Sequence, residues 1–179
     1  MTEIVTWIGA KRGHPLDPIQ AEFVDEACLW LTAPGVGIER LRSVATEIVA
    51  EQDEAPEVAQ VAALDPSSPF IEVRDVVGGA VGSIIGRRRA RDDYELSRHA
   101  LRALCRGTVS GAIAPRELTS WGWRRFQQGG NRETALVYDL YLLDEDYARF
   151  DEGRGRRRRT EGDIDERVRA FAERVARRA

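Results

Sequence analysis

The sequence predicts a predominantly α-helical fold, a compact bundle of about six or seven helices. Three observations support this. Apolar residues recur every three or four positions in most segments, and clusters of glycine and proline separate those segments. Hydrophobic residues make up 42% of the 179 positions, enough to bury a core without metals or disulfides. A minor two-stranded β element is expected beside the helices.

Three acidic, amphipathic helices are predicted near the N-terminus, over residues 19–31, 38–51 and 56–64. In the first, Phe23 and Trp30 lie on the apolar side, while acidic residues occupy the other side. Glycine and proline residues between positions 34 and 37 end this helix.

The two strands of the β element are predicted over residues 2–8 and 70–77, which are rich in β-branched and aromatic residues. Residues 78–86 follow the second strand and contain four glycines. Two alternatives remain for this segment: a loop, or a helix that packs closely through a face of small residues.

Three helices are predicted in the second half of the chain. Asp92 or Asp93 caps the first, which runs through Cys105, and Pro115 begins the second. Asn131 caps the third, whose apolar residues spread over so much of its circumference that it is expected to be largely buried. Leu140, midway along this helix, is therefore a predicted core residue.

The predicted domain organisation is a helical domain over residues 1–150, a charged linker over 151–162 and an amphipathic helix over 163–179. The linker is predicted from its arginines and its lack of apolar residues. Asp163 and Glu166 have a capping-box-like spacing at the start of the last helix.

At an offset of 77 residues the apolar patterns of 1–77 and 87–150 coincide. That match suits either two related three-helix units or the chance agreement of helical periods.

The net charge of −3 hides an uneven distribution. Residues 1–86 contain 14 acidic and 5 basic residues, a net charge of −9, whereas residues 87–179 contain 16 acidic and 22 basic residues, a net charge of +6. This asymmetry indicates either two oppositely charged surfaces, one of which faces a charged partner, or simply solvated helix faces.

The sequence predicts a cytoplasmic protein that does not associate with a membrane. The longest apolar stretch, residues 76–86, is about half as long as a bilayer span, and no leader-like segment precedes it. Cys28 and Cys105 belong to no metal-binding or redox motif, so both are predicted to be reduced core residues.

No motif for catalysis, metal binding or cofactor binding is recognised, and the chain is predicted not to be an enzyme. His14 and His99 are the only histidines; His14 lies in a Gly/Pro loop without a nearby nucleophile in the sequence, and His99 lies on a helix flanked by arginine. A phosphate-binding loop needs lysine and serine or threonine directly after its last glycine, whereas Gly86 is followed by Arg87 and Arg88. The acids at 144–146 lack the spacing of a calcium-binding loop.

A helix, a turn and a basic helix over residues 104–126 invite comparison with a DNA-binding helix-turn-helix. The second helix carries Trp121, Trp123, Arg124 and Arg125. The predicted connection, residues 106–114, is about nine residues, longer than the usual three or four. Nucleic-acid binding is therefore kept as the alternative function.

The run GAIAPRELTSWGWRRF, followed by LVYDLYLLDEDY, resembles a group of small, uncharacterised actinobacterial proteins. In that group a G-x-I-x-P-R-E-L-x-x-W helix precedes a buried helix ending in an acidic D-x-x-Y. The same outline is similar, more loosely, to helical toxin-immunity proteins of the colicin D immunity type. The resemblance covers about residues 93–150 and implies no active site, only a role in capping a toxin through an acidic surface.

These observations predict a protein-binding module that presents an acidic surface to a basic partner. The alternative is a nucleic-acid-binding protein that uses arginines of the second half, and an undetected enzyme is the third interpretation. The candidate residues for the acidic surface are Glu47, Glu51, Asp53, Glu54 and Glu57, or Asp144, Glu145 and Asp146. The candidate nucleic-acid-binding residues are Arg87, Arg88, Arg89, Arg124 and Arg125.

Overall fold

The computed structural model describes residues 15–33, 38–51, 55–128, 135–153 and 160–177. These residues form eight α-helices and one short 3-10 turn, and no strand occurs among them, so the mainly helical prediction is confirmed. The helices are α1 (Pro18–Thr32), α2 (Glu39–Glu51), α3 (Pro56–Ala62), α4 (Phe70–Ile85), α5 (Asp93–Ser110), α6 (Pro115–Gln128), α7 (Ala135–Asp151) and α8 (Glu161–Ala176), and the 3-10 turn is Arg89–Arg91.

The chain divides into two compact units, residues 1–100 and 101–179. Helix α5 begins in the first unit and ends in the second. Within the described ranges, no helix combines the length and the apolar character that crossing a bilayer requires.

In the first unit, α1 packs against α2 and α4, and α3 packs against the same two helices. Phe23, Ile48, Val58 and Val77 are fully buried at their centre. Helix α1 begins where the side chain of Asp17 accepts a hydrogen bond of 2.9 Å from the backbone N–H of Gln20.

The prediction of a second strand over residues 70–77 is wrong, because this segment is the first half of α4. Val73, Val77 and Ile84 are buried at helical spacing, and the period continues through the glycines. Residues 78–85 are therefore helical, and Gly86 caps the helix with a φ of 91°. The predicted first strand, residues 2–8, lies outside the described residues.

In the second unit, α6 packs against α7 and α8, and α7 also packs against α8. The prediction that Leu140 lies in the core is confirmed, since its side chain is fully buried. A Cβ atom at Gly122 of α6 would lie 2.8 Å from Leu140 Cδ1 of α7. The missing side chain at Gly122 thus makes room for Leu140 in the core.

Several predicted ends in the second half differ from the structure. Helix α5 continues past Cys105 to Ser110, so only residues 111–114 connect it to α6, not nine residues. Helix α8 begins at Glu161, because Thr160 and Asp163 form the capping box, not Asp163 and Glu166. The predicted cap Asn131 and the linker residues 154–159 lie outside the described residues.

Candidate functional site

Three predicted acidic residues are exposed on the first unit. Glu47 and Glu51 are four residues apart on α2, and Glu57 lies in the first turn of α3, which packs against α2. Glu47 accepts one hydrogen bond of 3.5 Å from Ser43 Oγ. Among the described residues, none of the three carboxylates forms an ion pair. We call Glu47, Glu51 and Glu57 the acidic surface; Asp53 and Glu54 lie outside the described residues.

The second predicted group of acids, Asp144 to Asp146 on α7, has a different environment. Asp144 Oδ1 accepts a hydrogen bond of 3.1 Å from Ser120 Oγ of α6. Asp146 forms an ion pair with Arg167 of α8, and its side chain is only 17% exposed. These two contacts join α7 to its neighbouring helices.

The middle acid of this group, Glu145, also has partners in the second unit. Glu145 accepts a hydrogen bond from the Tyr141 hydroxyl and forms an ion pair of 2.7 Å with Arg149. The hydrogen bond to Glu145 raises the pKa of Tyr141, because it stabilises the protonated phenol. All three acids of the group thus have partners inside the second unit.

A network of charged and aromatic groups surrounds Tyr147 of α7. Its hydroxyl donates a hydrogen bond of 2.6 Å to Asp165 of α8, and the guanidinium of Arg116 on α6 lies 4.8 Å from the ring centroid. Arg116 also donates to Asp151, at 2.8 Å, and that bond raises the pKa of the guanidinium. Burial, with the bond to Asp165, raises the pKa of Tyr147. This network links α6, α7 and α8.

The same network bears on the helix-turn-helix interpretation. The connection of four residues between α5 and α6 is as short as that motif requires, so the objection from its length is wrong. However, a recognition helix contacts bases with residues near its N-terminus. In α6 that position is Arg116, which is held by acids and an aromatic ring of its own unit.

The predicted nucleic-acid-binding arginines fall into two groups. Arg124 is exposed, and its Nε donates a hydrogen bond of 2.8 Å to the Ser120 carbonyl on the same helix, while Arg125 is partly buried. Arg87, Arg88 and Arg89 are exposed at the C-terminal end of α4. Within the part of the chain that the structure describes, these last three form no ion pair. Their charge also suits the negative end of the helix dipole of α4.

An open groove with a volume of about 950 Å³ lies on the first unit. Gly78, Gly79, Gly82 and Gly86 line it and are called its floor, and Glu57 and residues that follow α4 also line it. The floor is not a phosphate-binding loop, because residues 78–85 belong to a helix and their backbone N–H groups are used within it. Of the two alternatives for this segment, the helix with a face of small residues is therefore the one that the structure shows.

The four glycines of the groove differ in whether the fold requires a glycine at their positions. Gly86 has a positive φ, and a Cβ at Gly82 would lie 3.6 Å from Arg87 Cγ in the turn that folds back on it. A Cβ at Gly78 or Gly79 would meet nothing within 4 Å. Glycine in a helix interior costs about 0.5–1 kcal/mol relative to alanine. No close packing inside the described structure accounts for that cost at Gly78 and Gly79.

The contact between Asp25 and His99 was missed by sequence reasoning. His99 Nδ1 lies 2.6 Å from Asp25 Oδ1, and the two side chains are 13% and 1% exposed. The pair joins α1 to the first part of α5 across 74 positions of sequence. Neither residue belongs to a local motif, so no signal in the sequence pointed to their contact.

Metal-ligating groups and thiols were the remaining candidates for a site among the described residues. No group of three or more potential metal ligands occurs among the described residues. Cys28 and Cys105 are both fully buried and belong to no disulfide, so their prediction as core residues is confirmed. Burial raises the pKa of the Cys105 thiol to about 12, so its reactive thiolate form is rare at neutral pH.

No protein family, curated protein or solved structure matches this chain. The resemblance to small actinobacterial proteins and to colicin D immunity-type proteins therefore stays a prediction.

Proposed function

We propose that the protein is a cytoplasmic, non-enzymatic protein-binding module that binds a basic partner through the acidic surface. The observation that carries this proposal is a difference between the two groups of acids. Glu47, Glu51 and Glu57 are exposed and form no ion pair with any described residue, whereas Asp144 to Asp146 all have partners in their own unit. The carboxylates of the first group are therefore available to bind a basic partner.

Such a surface mainly affects the rate of association with a partner and the choice among partners. Exposed carboxylates attract a basic protein over about a Debye length, and they disfavour acidic competitors. The net charge of −9 on residues 1–86 adds to this attraction. An immunity-like role, in which the module covers the basic surface of a toxin, is one form that this function would take.

The proposal is tested by affinity capture from the cells that produce the protein. The wild type is compared with a double variant, Glu47→Gln with Glu51→Gln, which removes two negative charges from the acidic surface. The control is Glu166→Lys, which makes the same change of charge at an exposed position of α8. We expect a basic protein that is retained by the wild type and the control and lost by the double variant.

Retention of the same partner by all three proteins would rule out the acidic surface as its binding site. The captured complex should also dissociate as the salt concentration rises, because screening weakens exposed charge pairs. A complex that is insensitive to salt would likewise count against the proposal.

The second candidate function is nucleic-acid binding, and the exposed Arg87, Arg88 and Arg89 favour it, since they form no ion pair among the described residues. Phosphate contacts by such arginines would make the affinity fall steeply with salt. We expect no complex in a mobility-shift assay with random-sequence duplex DNA at micromolar protein near physiological salt, because the acidic half repels the duplex. A tight complex under these conditions would place this candidate first.

A further inference from the structure

We propose that the groove on the first unit binds a small organic phosphate, a phosphate ester whose remaining part carries hydroxyl or amine groups. Its volume of about 950 Å³ lies within the range of small-molecule sites. This site is separate from the proposed function, although Glu57 belongs both to the acidic surface and to the groove lining.

Two arginines that line the groove supply the phosphate-binding groups. Arg87 and Arg91 are both exposed, and neither forms an ion pair with a residue that the structure describes. Guanidinium groups bind phosphate through paired N–H donors, and such charge-assisted bonds are strong. Many arginines of the second unit, such as Arg116 and Arg167, already have carboxylate partners. The guanidiniums of Arg87 and Arg91 thus have no carboxylate partner among the described residues.

The glycine floor explains how the rest of the ligand fits. Gly78 and Gly79 are helical, and the space that their Cβ atoms would take is open. A ligand lying in the groove can therefore approach the backbone of α4 at these two positions. This gives the two glycines a role that packing within the described residues does not supply.

The acidic residues of the groove restrict the class of ligand. Glu57 and Asp75 line it, and Asp75 lies 3.7 Å from the guanidinium of Arg74. Carboxylates accept hydrogen bonds from hydroxyl and amine groups, but they repel further negative charge. The groove is thus suited to one phosphate on a polar body, not to a polyphosphate or a nucleic-acid backbone.

The first test is calorimetric titration of the full chain with AMP, glucose 6-phosphate and inorganic phosphate. Adenosine and glucose are the controls without phosphate. We expect at least one ester to bind with a Kd below about 1 mM, and its counterpart without phosphate to bind at least about tenfold more weakly. If neither ester reaches that affinity, or if removal of the phosphate changes nothing, the proposal is wrong.

The second test uses two matched double variants. Arg87→Gln with Arg91→Gln removes the guanidiniums that line the groove, whereas Arg88→Gln with Arg89→Gln removes the same charge from exposed neighbours that do not line it. We expect the first variant to lose about tenfold or more in affinity and the second less than about twofold. Equal losses would show that diffuse charge attracts the ligand, and the proposed site would be abandoned.

The third test fills the floor of the groove. Gly79→Leu places a side chain in open space, and leucine is a better helix former than glycine, so the melting temperature should stay the same or rise. The ester should no longer bind. Binding that survives in this variant, with the fold shown intact by circular dichroism, would place the ligand elsewhere.

Discussion

The contact between Gly122 and Leu140 allows a quantitative test of the second unit's core. Leu140→Ala should lower the free energy of unfolding by about 2–5 kcal/mol, because the side chain is fully buried and its loss leaves a cavity between α6 and α7. Gly122→Ala alone has two opposing effects. Helix propensity contributes about 0.5–1 kcal/mol in its favour, and overpacking against Leu140 Cδ1, 2.8 Å from the new Cβ, costs about 1–3 kcal/mol.

The double variant separates these effects. Once Leu140 is alanine, the methyl group at position 122 meets no δ-carbon and occupies part of the cavity. We therefore expect Gly122→Ala to stabilise the Leu140→Ala protein by up to about 1 kcal/mol, although it destabilises the wild type. The coupling free energy should be about 1–3 kcal/mol.

The measurement is urea denaturation of all four proteins, followed by circular dichroism at 222 nm and analysed with a common slope. If the changes in unfolding free energy of the two single variants add to that of the double variant within about 0.5 kcal/mol, the contact between positions 122 and 140 is refuted. A loss below about 1 kcal/mol for Leu140→Ala alone would refute its position in the core.

Three further predictions concern titratable groups. His99→Gln should lower the free energy of unfolding by about 1.5–3 kcal/mol, measured by urea denaturation, because it removes the imidazole that contacts the buried carboxylate of Asp25; a change below about 0.5 kcal/mol would contradict this. Cys105, whose pKa is raised to about 12, should not react with a thiol reagent at pH 8 until denaturant is added; rapid labelling of the folded protein would be the contrary result. Tyr147 has a raised pKa in the folded state, so its contribution to stability is present below pH about 10 and lost as the pH rises further. Tyr147→Phe should therefore reduce the alkaline loss of stability in urea denaturation between pH 9 and 11, and an unchanged slope would argue against the bond to Asp165.

The limits of several helices could be predicted from local signals. Predicted and observed bounds agree closely for α1, α2 and α3, because apolar periodicity, a capping aspartate and proline at the first turn act within a few residues. The burial of Phe23 and Leu140 follows from the same periodicity. These features depend on neighbours in sequence, so the chain alone contains the information.

Helix α4 shows where local signals conflict. Four glycines in residues 78–86 left a loop and a closely packed helix as alternatives, and β-branched residues before them indicated a strand. In the structure, Val73, Val77 and Ile84 pack against the helices of the first unit, and this burial outweighs the low helix propensity of glycine. Packing between segments distant in the sequence decided that residues 70–85 are helical, and the local propensities of these residues do not contain that information.

The sequence by itself determined that this is a helical protein with acidic and basic halves, and it identified most of the residues that fill the cores. Only the tertiary structure decided which charges have partners. It joins Asp146 to Arg167 and Asp25 to His99, while Glu47 and Arg87 remain exposed. The physical reason is that helix formation depends on residues three or four positions apart, whereas an ion pair between helices depends on how those helices pack.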